Sequence, residues 1–469
     1  MFGLELSLSA VLIFCILCAL AFEFINGFHD TANAVATVIY TNSLRPIPAV
    51  VWSGIWNFIG VLTGGISVAI AIINILPIDT ILDTNIGHSV ALVLAILLTA
   101  IFWNLGTWYL GLPCSSSHTL IGSIIGAGFG YSLLNAEVAT SAVNWGEARK
   151  IGSALLFSPL LGFGLTVFLM FLLRFVFKAD SKIFREPPKG EPPPWWIRTI
   201  LILTCTGVSY SHGSNDGQKG IGLVMLVLVS FSPVYFALDT SKDSQQLNSG
   251  LAGFQRTIQQ INLQELAKRD SAQLADINSK LTWMQQELIK YGSLDNLPPE
   301  ERFEFRKAIL LAEKFFRDAE KNSVPGISQE QLVSVKAALK LITPFTNYAP
   351  VWVILAVALS LGFGTMVGWK RIVVTIGEKI GKQHLTYAQG ASAETVAAGT
   401  IGLASALGLS VSTTQVLSSG IAGAMVASNG LKNLQGSTIK NILIAWLLTF
   451  PVCMAGAGTL FLIIRWLID

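Results

Sequence analysis

Two sets of polar side chains recur at helical spacing inside otherwise apolar segments. Steps of three, four and three residues place the first set on one face of a helix. This set is Glu23, Asn26, Asp30 and Asn33. The second set repeats the last two steps and is His212, Asp216 and Lys219. Ionisable groups inside apolar helices are costly and mark an ion or solute path by default. A hydrogen-bond network that only fixes helix packing is the alternative, and the matched aspartates Asp30 and Asp216 favour a functional site.

Two runs of three hydroxyl side chains form a second candidate site. The first run follows Gly111 and Pro113, and the second follows Gly408. The runs are Ser115, Ser116 and Ser117, and Ser412, Thr413 and Thr414. Beside Gly or Pro, such a run predicts a chain break at the N-terminus of a half-helix, where backbone N–H groups, the helix dipole and hydroxyl donors converge on an anion. N-capping and Ser/Thr packing between membrane helices is the alternative. The duplication favours binding, and together the runs have the donors to surround one tetrahedral oxyanion.

The two aspartates cannot contact an oxyanion as bare carboxylates, because the charges repel. Either Asp30 and Asp216 hold cations that bridge to the anion, or they are protonated and donate hydrogen bonds. Both alternatives make them coupling sites, in which an ion or a proton offsets the charge of an anion bound in a low-dielectric cavity. Lys219 is either a fixed positive charge for the anion or the ion-pair partner of Asp216, and the sequence leaves both open.

A hydrolase is the alternative from another functional class. Ser117, His118 and Asp30 supply the residue types of a nucleophile, base and acid triad. Sequence neighbours on a helix rarely suit proton transfer between their side chains, and the second run carries Gln415 where the first carries His118. The duplicated feature is therefore the hydroxyl run, which argues against an enzyme.

The elements that carry these side chains are membrane segments. Of the 469 residues, 52% are hydrophobic and 13% are charged, against about a quarter charged in an ordinary soluble domain. This composition excludes a soluble protein and makes the lipid bilayer a partner. Apolar stretches recur along the chain, and the first is interpreted as a retained helix and not a signal peptide, because it lacks a positive n-region. The net charge of +3 gives no sign of a nucleic-acid partner.

A Pro-rich stretch and a polar stretch divide the chain. The sequence EPPKGEPPP, residues 186–194, cannot be helical and separates two membrane halves. A polar, helix-like stretch in the second half predicts a soluble insertion. The predicted segments are a first transmembrane repeat (1–177), a cytoplasmic Pro-rich linker (178–194), the start of a second repeat (195–238), the helical insertion (239–345) and the remainder of the second repeat (346–469).

Charge sets the predicted orientation. The basic loops at 174–198 and 370–382 face the cytoplasm by the positive-inside rule, and the acidic segments at 1–7 and 76–88 face the other side. An odd number of crossings, made by one broken segment between 195 and 238, then places the insertion and both termini outside.

Two repeated motifs predict an inverted repeat. GLPCSSSHTLIGSIIGA aligns with GLSVSTTQVLSSGIAGA at a shift of 297 residues, and GFHDTANA aligns with GSNDGQKG at a shift of 186. The shifts differ by nearly the length of the insertion, so the halves are collinear without it. An odd number of crossings in the first half inverts the second. The predicted fold is an all-α polytopic membrane protein with two inverted repeats, broken helices or re-entrant hairpins, and a soluble helical insertion.

At these four motifs the sequence resembles the inorganic phosphate transporter (PiT) family, and the variants HDTANA and NDGQKG resemble its bacterial low-affinity branch. The resemblance implies phosphate symport by a homodimer in the bacterial inner membrane, where the outer side that the charges predict for both termini is the periplasm. It implies no cofactor beyond a coupling cation, H⁺ or Na⁺. For the bacterial branch it implies proton coupling and uptake of phosphate as a neutral complex with a divalent metal. Sulfate and arsenate fit the same donors, and a channel is a further alternative.

The motifs and the resemblance together define a candidate site without a structural metal. The predicted substrate-binding residues are Ser115, Ser116, Ser117, Ser412, Thr413, Thr414, Asp30, Asn33, Asp216 and Lys219. The predicted coupling-ion residues are Asp30, Asp216, Asn26, Asn215, Glu23 and Glu394, the last from an acidic position in part of the family. Lys219 stands where the first half has Asn33, which favours protons. Gln415 stands where family hairpins commonly carry His, which bears on proton movement.

Overall fold

The chain divides into two compact units, which are described separately. A computed structural model describes residues 4–77, 80, 85–134, 142–178, 181–188, 190–262, 264, 266–322 and 324–468. The smaller unit contains Ser232–Tyr348, and the larger contains Leu6–Phe231 and the chain from Ala349 onward. Among the described residues the regular structure is helical, apart from one isolated antiparallel bridge between Gly381 and Leu434.

The helices follow one another closely along the chain. The larger unit begins with α1 (Leu6–Tyr40), α2 (Pro46–Thr63), α3 (Ser67–Ile73), α4 (Ile86–Tyr109), α5 (Ser116–Ser132), α6 (Trp145–Val176) and α7 (Trp195–Phe231). The smaller unit contains α8 (Ser244–Gln259), α9 (Lys268–Tyr291), α10 (Pro299–Asn322) and α11 (Gln329–Ile342). The larger unit resumes with α12 (Val351–Met366), α13 (Lys370–Val374), a π-helical turn (Thr375–Lys379), α14 (Tyr387–Ala406), α15 (Thr413–Asn429) and α16 (Gly436–Ile468).

Long apolar helices make the larger unit a membrane unit. Within the described residues, α1, α2, α4, α6 and α16 are long and apolar enough to span a bilayer, and α12 with the segment Lys370–Lys379, bent by 55°, makes a sixth candidate. Helices α5 and α15 have 17 residues each. At about 25 Å, they are shorter than a hydrocarbon core of about 30 Å.

The two short helices begin after identical turns. Gly111 and Gly408 both adopt φ +67°, a left-handed conformation that favours glycine. The next residue in each turn donates its N–H back to the preceding helix, from Leu112 to Thr107 at 2.9 Å and from Leu409 to Ala404 at 2.8 Å. The chain breaks that the hydroxyl runs predict therefore lie between α4 and α5 and between α14 and α15.

Helix α7 differs from the broken crossing that the sequence predicts between 195 and 238. It is one unbroken helix of 37 residues that ends at Phe231. Its polar segment stays helical because buried partners satisfy the side chains. Close backbone packing also supports it, since a Cβ atom on Gly213 would lie 2.7 Å from the Cα of Asn57 in α2. The aligned Gly27 of α1 packs in the same way against α12, where a Cβ would lie 2.5 Å from the carbonyl oxygen of Leu361.

The halves exchange packing partners. Helix α5 of the first half packs along α16 of the second, and α15 of the second half packs along α6 of the first. In the same manner α1 packs on α12 and α7 on α2, while α1 and α7 contact each other. The polar motifs on α1 and α7 are therefore enclosed by helices from both halves.

A buried arginine forms hydrogen bonds to both chain ends of the smaller unit. The apolar core of this unit includes Leu251, Phe254, Leu281, Phe305, Phe316 and Phe345. Arg306 is 8% exposed, and its Nη1 donates to the carbonyl oxygens of Ala237 at 3.1 Å and Thr346 at 3.0 Å. Burial lowers the pKa of Arg306 to about 10, so the guanidinium stays charged at neutral pH.

Replacing Arg306 by Ala should loosen the smaller unit. Leaving the buried carbonyl acceptors without a donor costs about 1–3 kcal/mol, which raises local opening and hence proteolysis by roughly 5- to 150-fold when opening is rapid. Limited proteolysis of the full-length protein, with cleavage sites mapped by mass spectrometry, measures the effect. Arg317→Ala is the matched control, because Arg317 is exposed on the same helix. Equal cleavage rates in the two variants would show that Arg306 does not hold the two chain ends together.

Candidate functional site

The two matched aspartates lie together inside the larger unit. Helix α1 carries Asp30 and α7 carries Asp216, and both side chains are buried, at 2% and 0% exposure. His212 lies one turn before Asp216 on α7. One ligand atom from each of these three residues lies within 4.8 Å of the other two. The structure thus places the predicted aspartates side by side and adds a histidine to them.

Neighbouring helices fix the orientation of His212. Its Nδ1 lies 2.8 Å from Oδ1 of Asn57 in α2, and Nδ2 of Asn57 donates to Thr365 in α12 at 3.0 Å. Because the Asn57 amide donates to Thr365, its oxygen accepts the Nδ1 proton of His212. The other ring nitrogen, Nε2, then faces Oδ2 of Asp30 at 3.6 Å and Oδ2 of Asp216 at 3.5 Å.

The second hydroxyl run contacts the aspartate of the first half. Thr413 donates to Oδ2 of Asp30 at 3.2 Å, and Thr414 donates to Oδ1. Nδ1 of His29 also lies near this carboxylate, at 3.7 Å from Oδ1 of Asp30. The N-terminus of α15 therefore meets the polar face of α1 at Asp30.

Lys219 connects the aspartate of the second half to the first hydroxyl run. Its Nζ is buried and donates to Oδ1 of Asp216 at 2.7 Å, Oγ of Ser117 at 2.5 Å and the carbonyl oxygen of Val411 at 3.0 Å. These contacts use all three donors of an ammonium group. Ser117 also donates to the same Val411 carbonyl at 2.8 Å, so the two hairpins meet here. Of the two alternatives for Lys219, the structure contains the ion pair with Asp216.

Two of the six predicted hydroxyls are helix caps. Oγ of Ser115 accepts from the backbone N–H of His118, and Oγ of Ser412 accepts from that of Gln415, both at 3.2 Å. These two hydroxyls correspond to the capping alternative. The other first-turn N–H groups have no intrahelical acceptor. Oγ of Ser116 is buried and finds no hydrogen-bond partner in the part of the chain that the structure describes, so the N-terminus of α5 adds a hydroxyl donor.

An amide links a buried glutamate to the aspartate pair. Nδ2 of Asn26 lies 3.3 Å from Oδ2 of Asp216 and 3.4 Å from Oε2 of Glu23. Glu23 is fully buried, and its Oε1 has no hydrogen-bond partner among the described residues. The side chain of Asn33, which belongs to the same predicted stripe, lies outside the described residues.

Two predicted coupling-ion residues have other partners. Asn215 braces the second hairpin, donating to the carbonyl oxygen of Leu409 at 3.0 Å and accepting from the N–H of Val411 at 3.5 Å. Glu394 of α14 is buried and accepts from Thr204 at 2.5 Å. The contacts that the structure gives these two residues do not include the aspartate pair.

The hydrolase alternative lacks its geometry. Nδ1 of His118 lies 2.8 Å from Oγ of Ser115, and the imidazole ring packs edge-on against Phe450. His118 thus pairs with the cap of its own helix. Among its described contacts there is none with Asp30 or with Ser117.

The aspartate pair has the donor set of a cation site. Two carboxylates and one imidazole nitrogen surround a common point, and Nε2 of His212 has no hydrogen-bond partner in the described structure. Carboxylate oxygens suit hard cations, and imidazole adds affinity for divalent transition metals. The residues therefore fit a proton, Na⁺ or a divalent cation as cargo. His212 belongs to the second polar set of the sequence analysis, but the predicted substrate-binding and coupling-ion residues did not include it.

Known proteins similar to this chain are transporters. A profile described as "Phosphate transporter family" matches residues 26–457. The low-affinity inorganic phosphate transporters PitB and PitA of Escherichia coli (strain K12) are each 41% identical, over 98% of this chain and 97% of their own length. A probable low-affinity inorganic phosphate transporter of Bacillus subtilis (strain 168) is 28% identical, over 94% and 93% of the two chains.

A solved structure shares the fold. It is described as "The sodium-dependent phosphate transporter", and it covers 97% of this chain and 99% of its own, with a TM-score of 0.55 and 21% identity. The matched family and the relatives are transporters and not enzymes. This chain is therefore a membrane protein that belongs to the phosphate transporter family, the family that its four motifs resemble.

Proposed function

We propose that the protein is a secondary symporter that takes up inorganic phosphate with a coupling cation across the bacterial inner membrane. One observation carries the proposal. Two helix N-termini from opposite halves meet two buried aspartates and a buried lysine in a single site. The E. coli relatives are named as low-affinity inorganic phosphate transporters, which supports phosphate as the oxyanion.

The N-termini of α5 and α15 form the anion part of the proposed site. Each supplies first-turn N–H groups and the positive end of a helix dipole. Ser116 adds a hydroxyl without a partner within the described ranges, and Ser117, Thr413 and Thr414 add hydroxyls that now donate to a carbonyl or to Asp30. Phosphate entering between the helix ends would take over these donors.

Charge balance supports a coupling role for the aspartates. The carboxylates of Asp30 and Asp216 share this buried cluster with the ammonium of Lys219 and the imidazole of His212. An incoming phosphate adds negative charge to this cluster, and uncompensated charge is costly in a low-dielectric cavity. A cation or proton arriving at the aspartates offsets it, so phosphate and cation bind together more favourably than either binds alone.

Lys219 favours protons as the coupling ions. Its ammonium already lies between Asp216 and the hairpins, where a bound cation would otherwise contact the same oxygens. The aligned position in the first half is Asn33, a residue type that can ligate a cation. The ammonium of Lys219 therefore occupies the place where a bound metal cation would otherwise lie.

A divalent metal could travel as a neutral complex with phosphate. The set of Asp30, His212 and Asp216 offers the oxygen and nitrogen ligands that such a metal takes. The helix N-termini would hold the phosphate of the same complex. Equal uptake of metal and phosphate by the reconstituted protein supports this form of the substrate.

Reconstitution tests the coupling ion. In proteoliposomes, wild-type protein should accumulate radiolabelled phosphate when an inward proton gradient is imposed, and an inward sodium gradient at equal pH should not drive it. Lys219→Asn should reduce proton-driven accumulation by about tenfold or more, an effect of about 1.4 kcal/mol. It should also confer a response to sodium. Sulfate is included as a competitor, and a reduction of phosphate uptake by sulfate would indicate a site for tetrahedral oxyanions in general.

Two further variants serve as controls in the same assay. Lys219→Arg keeps the buried positive charge, and Lys150→Asn removes a lysine whose side chain is half exposed. Wild-type accumulation that follows sodium and ignores the pH gradient would overturn proton coupling. Uptake that only equilibrates, without accumulation, would identify a channel.

Matched features of the two halves support an inverted-repeat architecture. The turns at Gly111 and Gly408 share one conformation, and the helices that follow have equal length. The exchange of packing partners is also reciprocal. With the basic loops at 174–198 and 370–382 inside, this plan leaves both termini and the insertion in the periplasm.

A further inference from the structure

A groove with basic and aromatic walls lies between the C-terminal end of α4 and the segment around α13. Its volume is 660 Å³. Its lining includes Trp108, Tyr109, Trp369, Lys370, Arg371 and Lys379. None of these residues belongs to the aspartate cluster or to the hydroxyl runs.

The groove carries a net positive charge. Lys370, Arg371 and Lys379 are exposed, and in the described part of the chain none of them forms an ion pair. The neighbouring carboxylate, Glu378, accepts a hydrogen bond from the hydroxyl of Tyr40 at 2.9 Å. Three cations in one groove make it complementary to an anion.

The position of Arg371 is fixed by three contacts. Its guanidinium carbon lies 5.2 Å from the ring centre of Trp108 and 4.9 Å from that of Tyr109. Nη1 donates to the carbonyl oxygen of Tyr109 at 2.8 Å. One guanidinium nitrogen is thus bonded to the wall of the groove. The other N–H groups of the planar guanidinium remain available for a phosphate oxygen.

Hydrogen bonds between the two walls preserve the groove. Nε1 of Trp108 donates to the carbonyl oxygen of Gly368 at 2.9 Å. Oγ1 of Thr375 donates to the carbonyl oxygen of Gly111 at 2.8 Å. Both bonds join α4 or its following turn to the segment around α13, so the groove is a built feature of the fold.

The location of the groove favours a lipid over a free anion. Helix α4 is a membrane-span candidate, and its last turns expose apolar and aromatic side chains: Phe102 by 69%, Tyr109 by 66% and Leu110 by 69%. Trp, Tyr, Lys and Arg at a helix end are typical of the boundary between bilayer and water. A phosphate in the groove therefore has an apolar surface beside it that suits acyl chains.

We propose that this groove binds the headgroup of an anionic phospholipid. Lys370, Arg371 and Lys379 contact the headgroup phosphate, and the acyl chains lie along the exposed face of α4. Basic pockets between membrane helices recognise anionic lipids through these interactions. Because the groove includes Gly111, the bound lipid also supports the turn that precedes the first hydroxyl run.

Thermal unfolding of the full-length protein in lipid nanodiscs tests the proposal. Raising the fraction of phosphatidylglycerol in a phosphatidylcholine bilayer should raise the unfolding temperature, because a ligand that binds only the folded state stabilises it. The triple variant Lys370→Gln/Arg371→Gln/Lys379→Gln should lose at least half of that shift. A triple variant of exposed lysines elsewhere, Lys150→Gln/Lys280→Gln/Lys336→Gln, should keep it.

A second measurement covers the case in which the groove variant does not fold. Arg371→Lys keeps the charge but loses the stacked plane, and it should reduce crosslinking of a photoactivatable phosphatidylglycerol to the groove. A lipid shift of equal size in the groove variant and the wild type would overturn the proposal. So would crosslinks that map elsewhere, or a groove-dependent shift produced by inorganic phosphate in phosphatidylcholine alone, which would indicate a site for free phosphate.

Discussion

Asp30→Asn and Asp216→Asn should each abolish coupled phosphate accumulation while the protein stays folded. Asparagine preserves the shape of the side chain but removes the charge that the coupling cation or proton compensates. Removing one member of a buried, hydrogen-bonded charge pair costs about 2–5 kcal/mol, so accumulation should fall by roughly 30-fold or more. The measurement is initial uptake and final accumulation of radiolabelled phosphate in proteoliposomes.

The two aspartate variants need not fail in the same way. Asp216 is paired with Lys219 at 2.7 Å, so Asp216→Asn leaves a buried ammonium without its counter-charge. Asp30 is held by the hydroxyls of Thr413 and Thr414, which Asn can still partly satisfy. We therefore expect Asp216→Asn to lower the unfolding temperature more.

Asp276→Asn is the control for both aspartate variants, because Asp276 lies exposed in the smaller unit. Size-exclusion profiles separate loss of transport from loss of folding. Near-normal accumulation by either aspartate variant would remove that residue from the coupling site.

The double variant Thr413→Ala/Thr414→Ala should weaken phosphate binding sharply. Both hydroxyls lie at the N-terminus of α15 and donate to Asp30, at the place where the proposed anion approaches. Hydrogen bonds to charged groups contribute about 1.5–3 kcal/mol, so the apparent affinity should fall by roughly 10- to 150-fold. The concentration dependence of phosphate uptake gives the apparent affinity.

Ser412 separates capping from binding. Its hydroxyl accepts from the backbone of Gln415, so Ser412→Ala should cost about 1 kcal/mol of helix stability and leave the apparent affinity almost unchanged. Thr395→Ala, at an exposed position of α14, is a neutral control. An apparent affinity that stays the same in the double variant would leave the threonines with a structural role only.

Local patterns predicted the polar parts of the site because the sequence repeats them. The matched motifs place Asp30 with Asp216, and the glycines before the hydroxyl runs indicate the turns at Gly111 and Gly408. These features depend on residues a few positions apart, where helix spacing and turn preferences act directly.

Contacts between distant segments could not be predicted in this way. Asn57 shows no spacing relation to His212, and only the packing of α2 on α7 brings them to 2.8 Å. The polar segment of α7 predicts a break, yet the helix continues because Lys219 and its neighbours find buried partners. Ser115 and Ser412 act as helix caps. The sequence could not predict this, because the same hydroxyl runs suit both capping and anion binding.

The exchange of packing partners delays the assembly of α5 during synthesis of the chain. Helix α5, which carries the first hydroxyl run, packs along α16, and α16 begins about 300 residues after α5 ends. At synthesis rates of about 5–20 residues per second, α5 waits roughly 15 to 60 s for its partner. The first half therefore leaves the ribosome without a finished hairpin. Membrane insertion of the last helix is therefore the step that gives α5 its packing partner.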